Sequence, residues 1–537
     1  MRRTLMPVLA PLLLVPFVSQ PAQAHGFGQS YDLPLPLWLY LYGAGAAVLA
    51  SFVPISLFAG KRKTGEKTPY LYPRFNLLRV RFLRPVLTGR TLLIGLRLLS
   101  VGLFVLVVLT GLLGRQNADA NFAPTFVWII WWVGLGFFTA FVGNVWALVN
   151  PWEVTFEWAD TLVRRLGARN GLELRETYPA SWGLWPAVAL YGIFVWLENV
   201  FPGSSTPVYI AVLVLTYSVL VWGGMIVYGK ETWLRRGEVF SVFFGLLARF
   251  APTEVRVTDP TLCRGGCSDT CGIVEKGCVN CYECFARAAP ENRELNLRPP
   301  AVGLSRPEPV PSGGVFFVIL VLAGVAFDGL LETPLWNELR RDLSLPQVVG
   351  LVALPLVFFA AYLGFVKLSQ LFGGGTRGLR RFAASCVYSL VPIAVAYQVA
   401  HYYTLLLVQG QGIIQHVSDP FGWGWDLFGT AGYSIAPSVI GAAFVWYSQV
   451  ALIVAGHVVA VYLAHLVALR LFEDPGRALR SQFPILALMI LYTIFSLWII
   501  SQPIVVEDQP VEPATQEDAS QPAPMENLRE PPMPDVP

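Results

Sequence analysis

Residues 314–332 read Gly314-Val-Phe-Phe-Val-Ile-Leu-Val-Leu-Ala-Gly-Val-Ala-Phe-Asp328-Gly-Leu-Leu-Glu332. No charge precedes Asp328 in this run, and a helix built from it is apolar on every face, as hydrocarbon requires. A carboxylate there costs several kcal/mol unless it is paired or hydrated, so Asp328 marks function by default. Nine other runs are long enough to span a bilayer: Leu37 to Ala59, Thr91 to Gly114, Thr125 to Leu148, Leu184 to Phe201, Val208 to Tyr228, Val348 to Phe365, Phe382 to Val408, Ser438 to His465 and Phe483 to Ile500. Across 537 residues, 55% hydrophobic against 14% charged is more apolar surface than a soluble core can bury. The predicted fold class is all-α: a polytopic transmembrane helical bundle of about ten spans whose partner is the lipid bilayer. A net charge of +3 offers no basic surface for nucleic acid.

The first 24 residues carry Arg2 and Arg3, an apolar run from Leu5 to Val18 and Ala22-Gln-Ala24, the pattern of a secretory signal cleaved before His25. Lysine and arginine set the orientation of the rest. Loops 60–90, 149–183, 229–313, 368–381 and 468–480 hold 30 of the 38 lysines and arginines. The intervening loops and the tail hold Arg115, Arg340, Arg341 and Arg529. By the positive-inside rule the first set is cytoplasmic, which places both mature termini outside a bacterial inner membrane. The expected organisation is a signal peptide (1–24), five spans (25–228), a cytoplasmic loop (229–313), five more spans (314–503) and a disordered extracytoplasmic tail (504–537). Within the loop, Gly237 to Phe250 has apolar residues at helical spacing and suits a helix on the cytoplasmic face or packed under the bundle.

That loop also holds Cys263-x3-Cys267-x3-Cys271-x6-Cys278-x2-Cys281-x2-Cys284, six of the chain's seven cysteines. Such spacing brings thiolates to one metal, and a reducing compartment argues against disulfides. No histidine falls between His25 and His401, so zinc here is all-cysteine. Cys278, Cys281 and Cys284 match the first three ligands of a bacterial ferredoxin motif, with the fourth to come from Cys263, Cys267 or Cys271. Zinc and an iron–sulfur cluster both fit. Cys386, alone in a span, reads as a small buried hydrophobe.

A second set lies at similar depth toward the other side: Glu198, Asp328 and His401 in spans, with His416 in the loop beyond and His25 at the mature N-terminus. Carboxylates and imidazoles gathered in one wet pocket can hold a divalent metal, copper or zinc, and an open position would activate water. His25 adds an amine to its imidazole as a chelate. Glu198, Asp328 and His401 are the candidate catalytic groups. His457 and His465, eight residues apart, are separated by about 12 Å along a helix and take separate roles.

Asp32-Leu-Pro-Leu-Pro-Leu-Trp38, Gly143-Asn-Val-Trp-Ala-Leu-Val-Asn-Pro-Trp152, Leu297-Arg-Pro-Pro300, Val325-Ala-Phe-Asp-Gly329, Ala400-His-Tyr402 and Ala455-Gly-His457, together with Ala24-His25-Gly26, resemble a bacterial family of polytopic proteins identified as fenitrothion hydrolases. The resemblance spans most of the mature chain. It implies a membrane-associated enzyme that cleaves an organophosphate triester, an apolar small-molecule substrate that reaches the protein through the membrane. It assigns no catalytic residues, and neither a G-x-S-x-G nor an H-E-x-x-H motif occurs. Two other classes fit the residues: a metal-handling membrane protein, and an electron-transfer protein with an iron–sulfur centre. A second membrane subunit is compatible with each.

Overall fold

The structure is a computed structural model that describes residues 32–58, 72–167, 171–259, 261–262, 272–274, 277–306, 310–375 and 378–502. The signal segment, the tail, His25, Cys263, Cys267 and Cys271 lie outside the described residues. Ten long segments organise the rest: α1 (Leu37–Phe58), α2 (Arg90–Leu113), α3 (Phe122–Phe141), α4 (Trp185–Asn199), α5 (Pro207–Tyr228), α6 (Gly314–Leu331), α7 (Gln347–Phe372), α8 (Val391–Val408), α9 (Ala442–Leu471) and α10 (Pro475–Ser501). The chain is an all-α multi-pass bundle, and among the described residues nine helices are long and apolar enough to cross a membrane. The exception is α4, expected from Leu184 to Phe201. Its 15 helical residues rise about 22 Å, short of a hydrocarbon core of about 30 Å.

The central helix is α6, buried from Phe317 to Gly329 and packed against α4, α7 and α8. Its uniform apolarity is explained by neighbours on all sides. Gly324 lets α4 approach, since a Cβ there would stand 3.3 Å from Val195 Cγ2. One stretch departs from α geometry: Thr125–Gly134 winds as a π-helix, a wide form that recurs at functional sites. The segment Val239–Leu247 is helical, with the Glu238 side chain accepting from Phe240 N at 2.9 Å and Ser241 N at 2.7 Å. It buries Phe240, Phe243 and Phe244 under the bundle.

Four strands of the long loop and one from the loop 60–90 form a five-stranded antiparallel sheet in the order β1-β5-β2-β4-β3. The strands are β1 (Phe75–Asn76), β2 (Thr253–Val257), β3 (Gly272–Val274), β4 (Gly277–Val279) and β5 (Arg293–Leu297). The sequence does not announce them, because two to five residues are too few for an alternation to be read. The sheet is fastened through one buried carboxylate. Glu254 pairs with Arg298 at 2.7 Å, with Arg306 and Arg256, and accepts from Tyr72. Arg298 in turn donates to the carbonyls of Ala248, Arg249 and Ala251, which ties Leu297-Arg-Pro-Pro300 to the foot of the bundle.

Candidate functional site

Three of the ionisable residues expected to meet do so. His401 Nε2 lies 2.9 Å from Asp328 Oδ2, and the Tyr402 hydroxyl donates to the same oxygen at 2.6 Å. That hydroxyl stands 3.5 Å from Glu198 Oε1, which accepts the Trp132 indole N–H at 2.8 Å. Tyr402 has one proton to give, so it sits between two carboxyl groups and binds the nearer. Each member comes from a different element except the adjacent His401 and Tyr402: Asp328 near the end of α6, Glu198 near the end of α4, and Trp132 on the π-helical turn of α3. Tyr397, one turn before His401 on α8, lies with its ring parallel to the imidazole, 6.1 Å between centroids and 3° between planes. Gly329 leaves that ring its place, because a Cβ there would lie 3.0 Å from Tyr397 Oη and 2.6 Å from Ile499 Cγ2.

The cluster is buried without being sealed: the side chains of His401 and Asp328 keep 16% and 12% of their surface exposed. His416 does not join it. It is buried in the short helix Gly412–Ser418 beyond α8 and makes no hydrogen bond or ion pair among the described residues. Nor do the described residues form a metal chelate here, because Asp328 and His401 point their ligand atoms at one another. Among the described residues, the one set of three ligand atoms that converges is made of cysteines. His457 and His465 are apart from the cluster and from each other. His457 Nδ1 bonds Ile453 O of its own helix at 2.8 Å, and His465 Nδ1 bonds Gln482 Oε1 at 2.8 Å.

Cys278, Cys281 and Cys284 lie at the other end of the bundle, buried, with their sulfurs all within 4.8 Å of one another, and this group could hold a metal ion. Cys278 sits in β4, Asn280 follows with φ of +57°, and Cys281 opens the helix Tyr282–Arg287 that carries Cys284 one turn on. The left-handed turn at Asn280 and one turn of helix therefore bring the three sulfurs together. Val257, Ala288, Leu262 and Phe285 pack around the sulfurs, and Arg235 Nη2 donates to Cys281 Sγ at 3.5 Å. Cys386 is buried in α8's approach helix, where a small hydrophobe was expected.

Trp132, Tyr402 and Arg235 are the members that residue type and spacing do not point to. Tyr402 carried the weak signal of adjacency to His401, and Trp132 that of a Trp-Trp pair within a span. Comparison with protein-family models, curated proteins and solved structures finds no match to this chain. Its geometry defines the class: a multi-pass helical membrane protein that buries an Asp–His–Tyr–Glu cluster at one end and a three-cysteine group at the other.

Proposed function

We propose that the Asp328–His401–Tyr402–Glu198 cluster hydrolyses a membrane-dissolved ester, of the organophosphate triester class that the sequence resemblance implies. The observation that carries this reading is the 2.9 Å contact between His401 Nε2 and Asp328 Oδ2. With Nε2–H given to the carboxylate, Nδ1 is left as the basic nitrogen, oriented as a general base must be. A water placed at Nδ1 attacks phosphorus and gives its proton to His401. The phosphorus–oxygen bond to the aryloxy group breaks, and His401 returns the proton to the departing oxygen. Tyr402 and Trp132 hold Asp328 and Glu198 in place. A copper or zinc ion in this region would need ligands beyond these hydrogen-bonded residues, such as His25, and no step here runs through one.

The lysine and arginine bias supports a topology with the sheet end in the bacterial cytoplasm and the cluster near the outer leaflet, where an apolar triester partitions. At the sheet end, the reading is a structural metal, zinc or an iron–sulfur cluster, held by Cys278, Cys281 and Cys284 with a fourth thiolate from Cys263, Cys267 or Cys271. One contact favours a second reading for this end. A guanidinium donating to Cys281 Sγ is the kind of hydrogen bond that tunes a cluster's potential, so bound iron with a reversible visible band would make the protein an electron carrier.

The test of hydrolysis is nitrophenolate release from a nitrophenyl dialkyl phosphate by the purified chain in lipid nanodiscs. His401→Ala and Asp328→Asn should each lower the rate by about 10²–10⁴. Full activity in His401→Ala would end the proposal.

A further inference from the structure

We infer that the cavity enclosed by α2, α3, α4 and α5 is a binding site for a neutral, ring-bearing lipophile, entered from the bilayer. The cavity has a volume of about 500 Å³, the size of a pocket for a drug-sized molecule. Phe104, Trp128, Trp131, Phe194 and Phe240 wall it, and ring faces and edges at these positions suit an aromatic guest better than a chain. Charge is absent from its lining, so an ionised guest would be stranded without a partner. Its mouth is formed by Leu99, Phe138 and Ile193, which line it and are also exposed on the bundle's apolar flank, at 58%, 45% and 54%. Entry is therefore from lipid.

The polar groups along the lining offer the guest little. Ser100 donates to Val149 O, the Trp128 indole to Ser204 O and the Trp152 indole to Ser218 Oγ, so these donors are committed. Trp146 also lines the cavity, but its unpartnered indole nitrogen is itself buried and does not open on it.

The cavity also touches the acid–base cluster through its wall. Trp131 faces the cavity while its neighbour Trp132 donates to Glu198. Phe194 lines the cavity and packs edge-on against Trp132 at 4.5 Å. The π-helical winding of Thr125–Gly134 sets both tryptophans. That the guest is the substrate of the Asp328 cluster rests on the function proposed above, whereas the site stands on its own lining.

The experiment is binding of radiolabelled triphenyl phosphate to the full chain in phosphatidylcholine nanodiscs, with empty nanodiscs giving the partition baseline. The expected result is saturable one-site binding above that baseline. Val214→Trp, which fills the cavity from α5, should weaken it at least about tenfold. Leu103→Trp fills the same space from α2 and replaces Val214→Trp if that variant does not fold. Uptake no greater than in empty nanodiscs, saturable binding that both filling variants leave intact, or equal affinity for anionic diphenyl phosphate would each overturn the site. Saturable binding without any ester cleavage would keep the site and end the hydrolase reading instead.

Discussion

The Tyr402 hydroxyl lies 2.6 Å from the carboxylate oxygen of Asp328 that also meets His401. One oxygen thus meets both side chains, and the hydroxyl also stands between Asp328 and Glu198. Tyr402→Phe removes the hydroxyl and keeps the ring. Asp328 then loses its shorter hydrogen bond and keeps the contact with His401, and two carboxyl groups face one another without the intervening proton. If the cluster is the hydrolytic site, kcat should fall by about tenfold with KM little changed, because the group positions the base and does not touch substrate. A change confined to KM would show that Tyr402 belongs to substrate binding.

The cluster was half legible in the sequence, for a physical reason. Asp328, Glu198 and His401 stand out because an ionisable group in hydrocarbon is costly. Trp132 and Tyr402 do not, since aromatic residues make up 13% of the chain and serve as packing almost everywhere. Which aromatic side chains carry a polar tip into the cluster depends on the relative rotation of α3, α4, α6 and α8, and periodicity within one helix does not encode that. The sheet was hidden for another reason. Its register joins Phe75 to Leu297, across a separation at which no local pattern speaks.

Glu254 offers a prediction about stability. Burial alone raises its pKa, but the guanidinium groups of Arg306 and Arg298, the Tyr72 hydroxyl and Arg256 outweigh that and hold the carboxyl below its ordinary range. A depressed folded pKa contributes stability that is complete above the unfolded value and is lost as pH falls through the folded one. The unfolding temperature should therefore carry a loss on the acid side, below about pH 4, that Glu254→Gln lacks. At neutral pH the same variant leaves Arg298 buried with its partner uncharged, at a cost of roughly 3–5 kcal/mol. Tryptic cleavage in the sheet, faster in Glu254→Gln than in wild type at pH 7, would read this directly. Identical cleavage rates would mean that Arg298 is held by its carbonyl contacts alone.

The cysteines separate into two classes that metal analysis can tell apart. Cys278 and Cys281 are packed in the convergent group, whereas Cys386 is buried in the helix Leu379–Cys386 away from it. Purified under reducing conditions, Cys278→Ser and Cys281→Ser should lose the bound metal, and Cys386→Ser should keep it. Equal metal content in all three variants would remove the site.

Gly277 tests whether backbone geometry, and not thiols alone, makes that site. It precedes Cys278 with φ of +127°, where its missing Cβ would lie 1.8 Å from Val257 O. No side chain fits, because Val257 pairs with Cys278 across β2 and β4. Gly277→Ala must push the two strands apart and carry the Cys278 sulfur away from Cys281 and Cys284. Metal should be lost with every cysteine in place. Gly245→Ala is the control, as a Cβ there meets nothing within 4 Å and an alanine in a helix interior is favourable by roughly 0.5–1 kcal/mol. If Gly277→Ala binds metal as tightly as Gly245→Ala, the ligands come from elsewhere in the loop and the convergence of Cys278, Cys281 and Cys284 is packing.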